Sequence, residues 1–249
     1  MENKKYVLIT GACGGIGKAL TQVFNDNGYS VIASDRLPKI DDVHCDYYMQ
    51  ADLVRSVAEP EYMDSIVEEV MRHTNGEGIH ALINNAALQV LVPTAELSRT
   101  QWSNTLQTNL LAPFFWSQSF LDILKMNKGA IVNISSIHAT QTKKNFVAYA
   151  TSKAALSSLT RNMALDLAGD VRINAIEPAA VATDMLKAGF EGKEDKFKEL
   201  ERFHPLGRIA YPAEIAKLAA YLCSENASFI HGACINASGG IHACLSDPD

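Results

Sequence analysis

Seven short apolar runs, separated by longer stretches of helical character, constrain this chain more than any other feature. The runs are Tyr6–Thr10, Ser30–Ser34, Asp46–Met49, Ile79–Asn84, Ala130–Ile134, Val171–Ala175 and Ala233–Asn236. Several are apolar throughout rather than alternating, as strands buried on both faces of a parallel sheet must be. Helical segments are expected at about 15–27, 61–74, 98–126, 147–168, 184–202 and 212–223. Strand–helix alternation of this kind produces βαβ crossovers and a doubly wound α/β sheet with helices on both faces. At 249 residues, with no linker-like or repetitive tract, the expectation is a single domain.

Composition narrows the partners. The net charge of −6 and the lack of any long basic run speak against a nucleic-acid or anionic-membrane surface. No run approaches the ~20 apolar residues of a membrane helix, and the N-terminal apolar stretch is too short for a signal peptide. The five cysteines are odd in number, scattered and free of any CxxC spacing, which fits a reducing compartment and a cytoplasmic location. His231, Cys234, His242 and Cys244 lack the tight paired spacing of a zinc site, so no metal is expected.

The first strand runs into Thr10-Gly11-Ala12-Cys13-Gly14-Gly15-Ile16-Gly17 and then a helix. Glycines there permit a tight turn and a close backbone approach to a pyrophosphate, while the helix N-terminus offers free N–H groups and a positive dipole end. The spacing is Gly-x-x-x-Gly-x-Gly, not the commoner Gly-x-Gly-x-x-Gly. Asp35 ends the second strand, where a carboxylate accepts from ribose hydroxyls and repels a 2′-phosphate. This favours NAD over NADP, although the adjacent Arg36 is placed to stack on adenine or meet a phosphate.

Tyr149 and Lys153 are four residues apart, which puts them on one face of a helix at about 6 Å. An ammonium beside a phenol stabilises the phenolate and prepares the group for proton transfer. Ser135 and Ser136 follow the strand that ends at Ile134, and ligands of open parallel sheets bind beyond the carboxyl ends of strands. Asn109 breaks the pattern of an amphipathic helix, where asparagine is a poor choice.

Taken together, these residues resemble the short, single-domain branch of the short-chain dehydrogenase/reductase family. The likeness spans nearly the whole chain: Thr10-Gly-x-x-x-Gly-Ile-Gly17, Asp52-Leu53, Asn84-Asn85-Ala86, Asn109, Ser136, Tyr149-x-x-x-Lys153, Pro178 to Thr183, and Gly239-Gly240. The resemblance implies that Tyr149 is the general acid/base, that Ser136 orients the substrate oxygen, and that Lys153 holds the nicotinamide ribose and tunes Tyr149. It implies that Asn109 anchors a water in a proton relay. Gly11, Gly15, Ile16 and Gly17 would cradle the pyrophosphate, Asp52 and Leu53 would flank adenine, Asn85 would lie along the adenosine ribose, and Val181 and Thr183 would meet the carboxamide. Ala87, Ala179 and Ser238 depart from the family's usual Gly, Gly and Asp.

His138 and Gln89 lie in loops that border the substrate by this pattern, and with Gln141, Lys143 and Lys144 they form a polar collar suited to a polyol, sugar or hydroxy acid. The Lys/Glu-rich residues 185–210 are expected to form a substrate lid. The leading expectation is an NAD-dependent oxidoreductase of a polar secondary alcohol or ketone. The alternatives are an NADPH-dependent biosynthetic ketone reductase and, more remotely, a dinucleotide sensor without turnover. Apolar Leu110, Leu111, Phe114, Phe115 and Trp116 point to a homo-oligomer, and relatives of this length imply a tetramer that packs helices 98–126 and 147–168.

Overall fold

The computed structural model describes residues 4–245. Seven strands form one parallel sheet in the order β3-β2-β1-β4-β5-β6-β7. They are β1 (Lys5–Thr10), β2 (Tyr29–Asp35), β3 (Tyr47–Gln50), β4 (Ala81–Asn84), β5 (Ala130–Ile134), β6 (Arg172–Pro178) and β7 (Cys234–Ala237). The chain moves outward from β1 to β3, then crosses back to β4 and proceeds the other way. That reversal opens a crevice at the carboxyl ends of β1 and β4, where ligands of such sheets bind.

Helices are α1 (Gly15–Asp26), α2 (Leu53–Ala58), α3 (Pro60–His73), α4 (Arg99–Leu106), α5 (Ala112–Ser119), α6 (Leu121–Met126), α7 (Val147–Leu167), α8 (Asp184–Ala188), α9 (Glu194–Arg202) and α10 (Pro212–Cys223). Two apolar layers hold them to the sheet. On one face Leu8, Leu82 and Ile131 pack with Ile66 and Val70 of α3, Trp116 of α5 and Leu167 of α7. On the other, Val7, Ile9 and Val132 pack with Leu20 and Phe24 of α1 and Ile215 and Ala219 of α10. Alternate residues of each strand thus serve opposite faces, which is why the strands read as unbroken apolar runs.

Three helical expectations are corrected. The segment 98–126 is not one helix: α4 passes through a π turn at Gln107–Leu111 into α5 and α6. Pro113 is the cause, because it has no N–H to return to the Asn109 carbonyl four residues back. The segment 184–202 divides into α8 and α9 around residues 189–193, where Gly192 takes φ +69°. Helix α2 is additional; Asp52 caps it by accepting from the Val54 and Arg55 amides at 2.8 and 3.2 Å.

Trp116 is also unavailable to an oligomer contact. It is fully buried, with its indole N–H donated to Ser56 Oγ at 2.8 Å. Phe114 packs partly against the same core, whereas Leu111 stays exposed.

Candidate active site

At Gly11, Gly15 and Gly17 the turn from β1 into α1 leaves no room for a side chain. Gly11 has φ +69°, and a Cβ there would stand 2.6 Å from the Ala86 Cα. A Cβ on Gly17 would lie 2.0 Å from the Gly11 carbonyl oxygen. A Cβ on Gly15 would meet Thr183 Cγ2 at 2.7 Å, so Gly15 lets the phosphate-type loop touch the segment after β6. Ile16 turns the other way and packs against the α1–α10 layer.

Asn85 and Thr10 lock this loop in place. The Asn85 side-chain amide donates to the Thr10 and Gly11 carbonyls at 2.9 and 3.0 Å. The Thr10 hydroxyl accepts from the Asn85 and Ala86 amides at 3.1 and 3.2 Å. Both Asn85 N–H donors are therefore spent on the chain, and the residue shapes the loop instead of offering its amide donors to a ribose. Asp35 receives the Cys13 and Leu37 amides on its two oxygens at 3.0 and 3.1 Å, which holds the carboxylate at the rim of the crevice with lone pairs to spare. The Cys13 thiol sits 3.3 Å from the Tyr48 hydroxyl. Asp52 is occupied as the cap of α2, and Leu53 packs toward the core.

Across the crevice, the reacting-type groups gather beyond β5. Ser136 is buried, and its Oγ accepts the His138 amide at 3.2 Å. Ser135 points inward instead, bonding the Lys153 carbonyl at 3.1 Å and Ser157 Oγ at 2.8 Å. Of the two, Ser136 faces Tyr149. Burial pushes the Tyr149 phenol pKa up, and the neighbouring Ser136 hydroxyl works in the opposite direction.

Lys153 is almost fully buried, and Nζ donates to the Ile134 carbonyl at 2.7 Å. Burial pulls its pKa down to about 7. Nζ lies 5.7 Å from the centre of the Tyr149 ring. A half-buried tyrosine beside a lysine of lowered pKa and a serine hydroxyl can give a proton to a carbonyl oxygen or take one from an alcohol.

Asn109 is fixed by its side-chain amide. It is fully buried in the π turn, with Oδ1 accepting the Leu88 amide at 2.7 Å. Its amide donates to the Leu88 carbonyl at 2.9 Å and to Ser152 Oγ at 3.0 Å. With both N–H donors used, the side chain acts as a brace between the 85–93 loop and α7. Ser152, which the sequence did not single out, passes the brace on by donating to the Tyr149 carbonyl at 2.7 Å.

His138 stacks on Phe146 at 4.2 Å and meets the Tyr149 ring edge-on at 5.8 Å. Burial, with Lys143 nearby, takes its pKa down to about 4, so the ring is neutral at ordinary pH. Gln89 is exposed. Gln141 is spent on the His242 carbonyl at 2.9 Å. Val181 is buried in a bridge to Ala210, and the Thr183 hydroxyl accepts the Leu186 amide at 3.2 Å at the start of α8. Among the described residues no group of three or more His, Cys, Asp or Glu is placed to hold a metal; His231 instead bonds the Ile173 amide and the Ala164 carbonyl.

A crevice with a glycine cradle at β1 and a Ser-Tyr-Lys set at β5 defines a pyridine-nucleotide oxidoreductase acting on CH–OH or keto groups. The chain belongs to the short-chain dehydrogenase/reductase family: a family model described as Enoyl-(Acyl carrier protein) reductase matches residues 11–242. It is similar to Protein FixR of Bradyrhizobium diazoefficiens, with 36% identity over 96% of this chain and 87% of that one. It is 34% identical to meso-2,3-butanediol dehydrogenase of Serratia marcescens, covering 99% and 98%. Ligand-free aldohexose dehydrogenase of Thermoplasma acidophilum superposes with a TM-score of 0.89 at 31% identity, over 99% and 98% of the two chains.

Proposed function

We propose that the chain is an NAD-dependent dehydrogenase or reductase of a small polar secondary alcohol or ketone, with a polyol or sugar as the preferred substrate class. The observation that carries this reading is the half-buried Tyr149 side chain, set beside the Ser136 hydroxyl and with Lys153 Nζ 5.7 Å from its ring centre. The similarity to a butanediol and an aldohexose dehydrogenase supports the substrate class. The neutral His138 ring next to Tyr149 supports it further, because a neutral imidazole both donates and accepts toward hydroxyl groups.

The glycine cradle packs tightly on the chain's own atoms and leads into the N-terminus of α1, whose free N–H groups suit a pyrophosphate. Gly11, Gly15 and Gly17 would hold the pyrophosphate, Asp35 the adenosine ribose, Lys153 the nicotinamide ribose, and Val181 and Thr183 the carboxamide end. When bound, the nicotinamide supplies or accepts a hydride. Tyr149 gives its phenolic proton to the substrate oxygen in reduction and recovers it in oxidation. Ser136 donates to the same oxygen and fixes its position, and the Lys153 charge makes the phenolate easier to form. Asn109 and Ser152 keep the Tyr149 backbone at the correct height on α7.

Helices α8 and α9 act as the substrate lid, joined by the edge-to-face pair Phe190 and Phe197 at 5.6 Å. A homotetramer in the cytoplasm completes the proposal. Among the described residues no helix is long and apolar enough to cross a membrane. The Asp35 carboxylate disfavours the NADPH-dependent reductase reading. Measuring NADH and NADPH binding, then turnover on polyols, sugars and hydroxy acids, tests the proposal. Tight NADH binding with Tyr149-dependent turnover of a polyol or sugar supports it, and NADPH preference or turnover that survives Tyr149→Phe overturns it.

A further inference from the structure

His204 follows α9 and is 97% buried by its 3% exposure, yet among the described residues its Nε2 is the one buried side-chain N or O atom without a hydrogen-bond partner. The other ring nitrogen, Nδ1, lies 2.9 Å from the Leu200 carbonyl. A carbonyl can only accept, so Nδ1 carries the hydrogen and Nε2 of the neutral ring presents a bare lone pair. A buried acceptor left alone is costly, and such an atom calls for an explanation.

His204 is one of the residues around a cavity of about 460 Å³ at the carboxyl ends of β6 and β7, with Nε2 itself covered in this structure. Ala179, Ala180, Asn236, Ser238 and Arg208 are among its other walls. The volume suits a small organic molecule. The turn after His204 is fixed against the end of β7: the Leu206 amide donates to the Gly239 carbonyl at 3.1 Å, and Gly240 lies so close to Pro205 that a Cβ would stand 2.9 Å from its Cγ.

No donor of the chain bonds Nε2. The Arg208 guanidinium is forked onto both Glu214 oxygens at 2.8 and 2.7 Å, and the Gly207 amide donates to the His204 carbonyl at 2.7 Å. A molecule in the cavity that carries a hydroxyl can supply the missing donor. Because Arg208 and Glu214 neutralise each other, the wall offers no net charge to a charged guest, and burying one would be unfavourable. The Ser238 hydroxyl and the Asn236 amide remain as further polar groups of the wall.

We propose that this cavity binds a small uncharged molecule bearing a hydroxyl group, which donates its hydrogen to His204 Nε2 after a slight tilt of the ring. The hydroxyl belongs either to a distal part of the reacting molecule or to a second molecule. The proposal rests on the cavity and the orphaned nitrogen, so it stands or falls without any measurement of turnover.

The test is the ring ¹⁵N resonance of His204, in protein labelled at histidine and tyrosine, titrated with glycerol and separately with 1,2-dimethoxyethane, which lacks a donor. Glycerol is expected to move the Nε2 signal upfield to saturation, the ether is expected to leave it in place, and His204→Phe is expected to weaken glycerol binding about tenfold. A shift that never saturates, an equal response to the ether, or unchanged affinity in the variant overturns the site. If His204→Phe fails to fold, the wild-type glycerol and ether titrations decide alone. Tyr149 resonances that move in step with His204 assign the hydroxyl to the reacting molecule, and unmoved ones assign it to a second molecule; both results retain the site.

Discussion

Asn109 reaches the catalytic helix through Ser152: its amide donates to Ser152 Oγ at 3.0 Å, and that hydroxyl donates to the Tyr149 carbonyl at 2.7 Å. Asn109→Ala strips the Leu88 amide and carbonyl of their partners inside the protein. The expected cost is about 2–4 kcal/mol, read as a fall in Tm of roughly 5–10 °C by calorimetry. Asn109→Asp is expected to be worse despite its equal size, since it sets an acceptor against the Leu88 carbonyl. A variant as stable as the parent would remove the brace from the account.

Asp35 should set the choice of dinucleotide. Asp35→Ala removes the carboxylate that opposes a 2′-phosphate, and the NADH-over-NADPH preference is expected to fall by roughly 10- to 100-fold, as a loss of about 1–3 kcal/mol of discrimination. Fluorescence titration with both nucleotides reads this directly. An unchanged ratio would mean that selection lies elsewhere, Arg36 being the first place to look.

Lys153 gives the ligand-free protein a definite pH signature. Its folded pKa is about 7, well below the ordinary lysine value of 10.5. Between these values the unfolded chain binds a proton that the folded chain does not, so stability gains from this group as pH rises, and the gain is absent below pH 7. The slope for one proton is about 1.4 kcal/mol per pH unit. Cys223, raised to about 12 by burial, acts in the opposite sense above its ordinary value of 9. The comparison is therefore wild type against Lys153→Met by denaturant unfolding at pH 7.5 and 8.5. The wild type is expected to gain more on going up; parallel behaviour would contradict the burial cost assigned to Lys153.

The parallel sheet was legible because β1, β4, β5 and β6 are buried on both faces and are therefore mostly apolar. The Gly11-to-Gly17 cradle and the Tyr149–Lys153 spacing were legible for the same reason, since their chemistry fixes both residue type and interval. The break at Gln107–Leu111 escaped, although Pro113 four residues after Asn109 carried the signal. Helix α2 escaped because six residues are too few for a periodicity, but Asp52 as a cap and Pro60 after it marked both ends. Asn85 and Asn109 look like ligand-facing amides in a linear sequence. Only the three-dimensional placement of Thr10, Gly11 and Leu88 shows that their N–H groups are consumed by the chain. His204 had no sequence signal, since an orphaned nitrogen is defined by what fails to surround it.

The central claim is that Tyr149 transfers the proton while other residues hold the nucleotide, and the most direct test is Tyr149→Phe measured for both functions in one preparation. The account predicts that NADH binds the variant about as tightly as the wild type, while turnover of the best polyol or sugar substrate falls by about 10²- to 10⁴-fold or more. Turnover that survives the substitution, or nucleotide binding lost in proportion to rate, would contradict it.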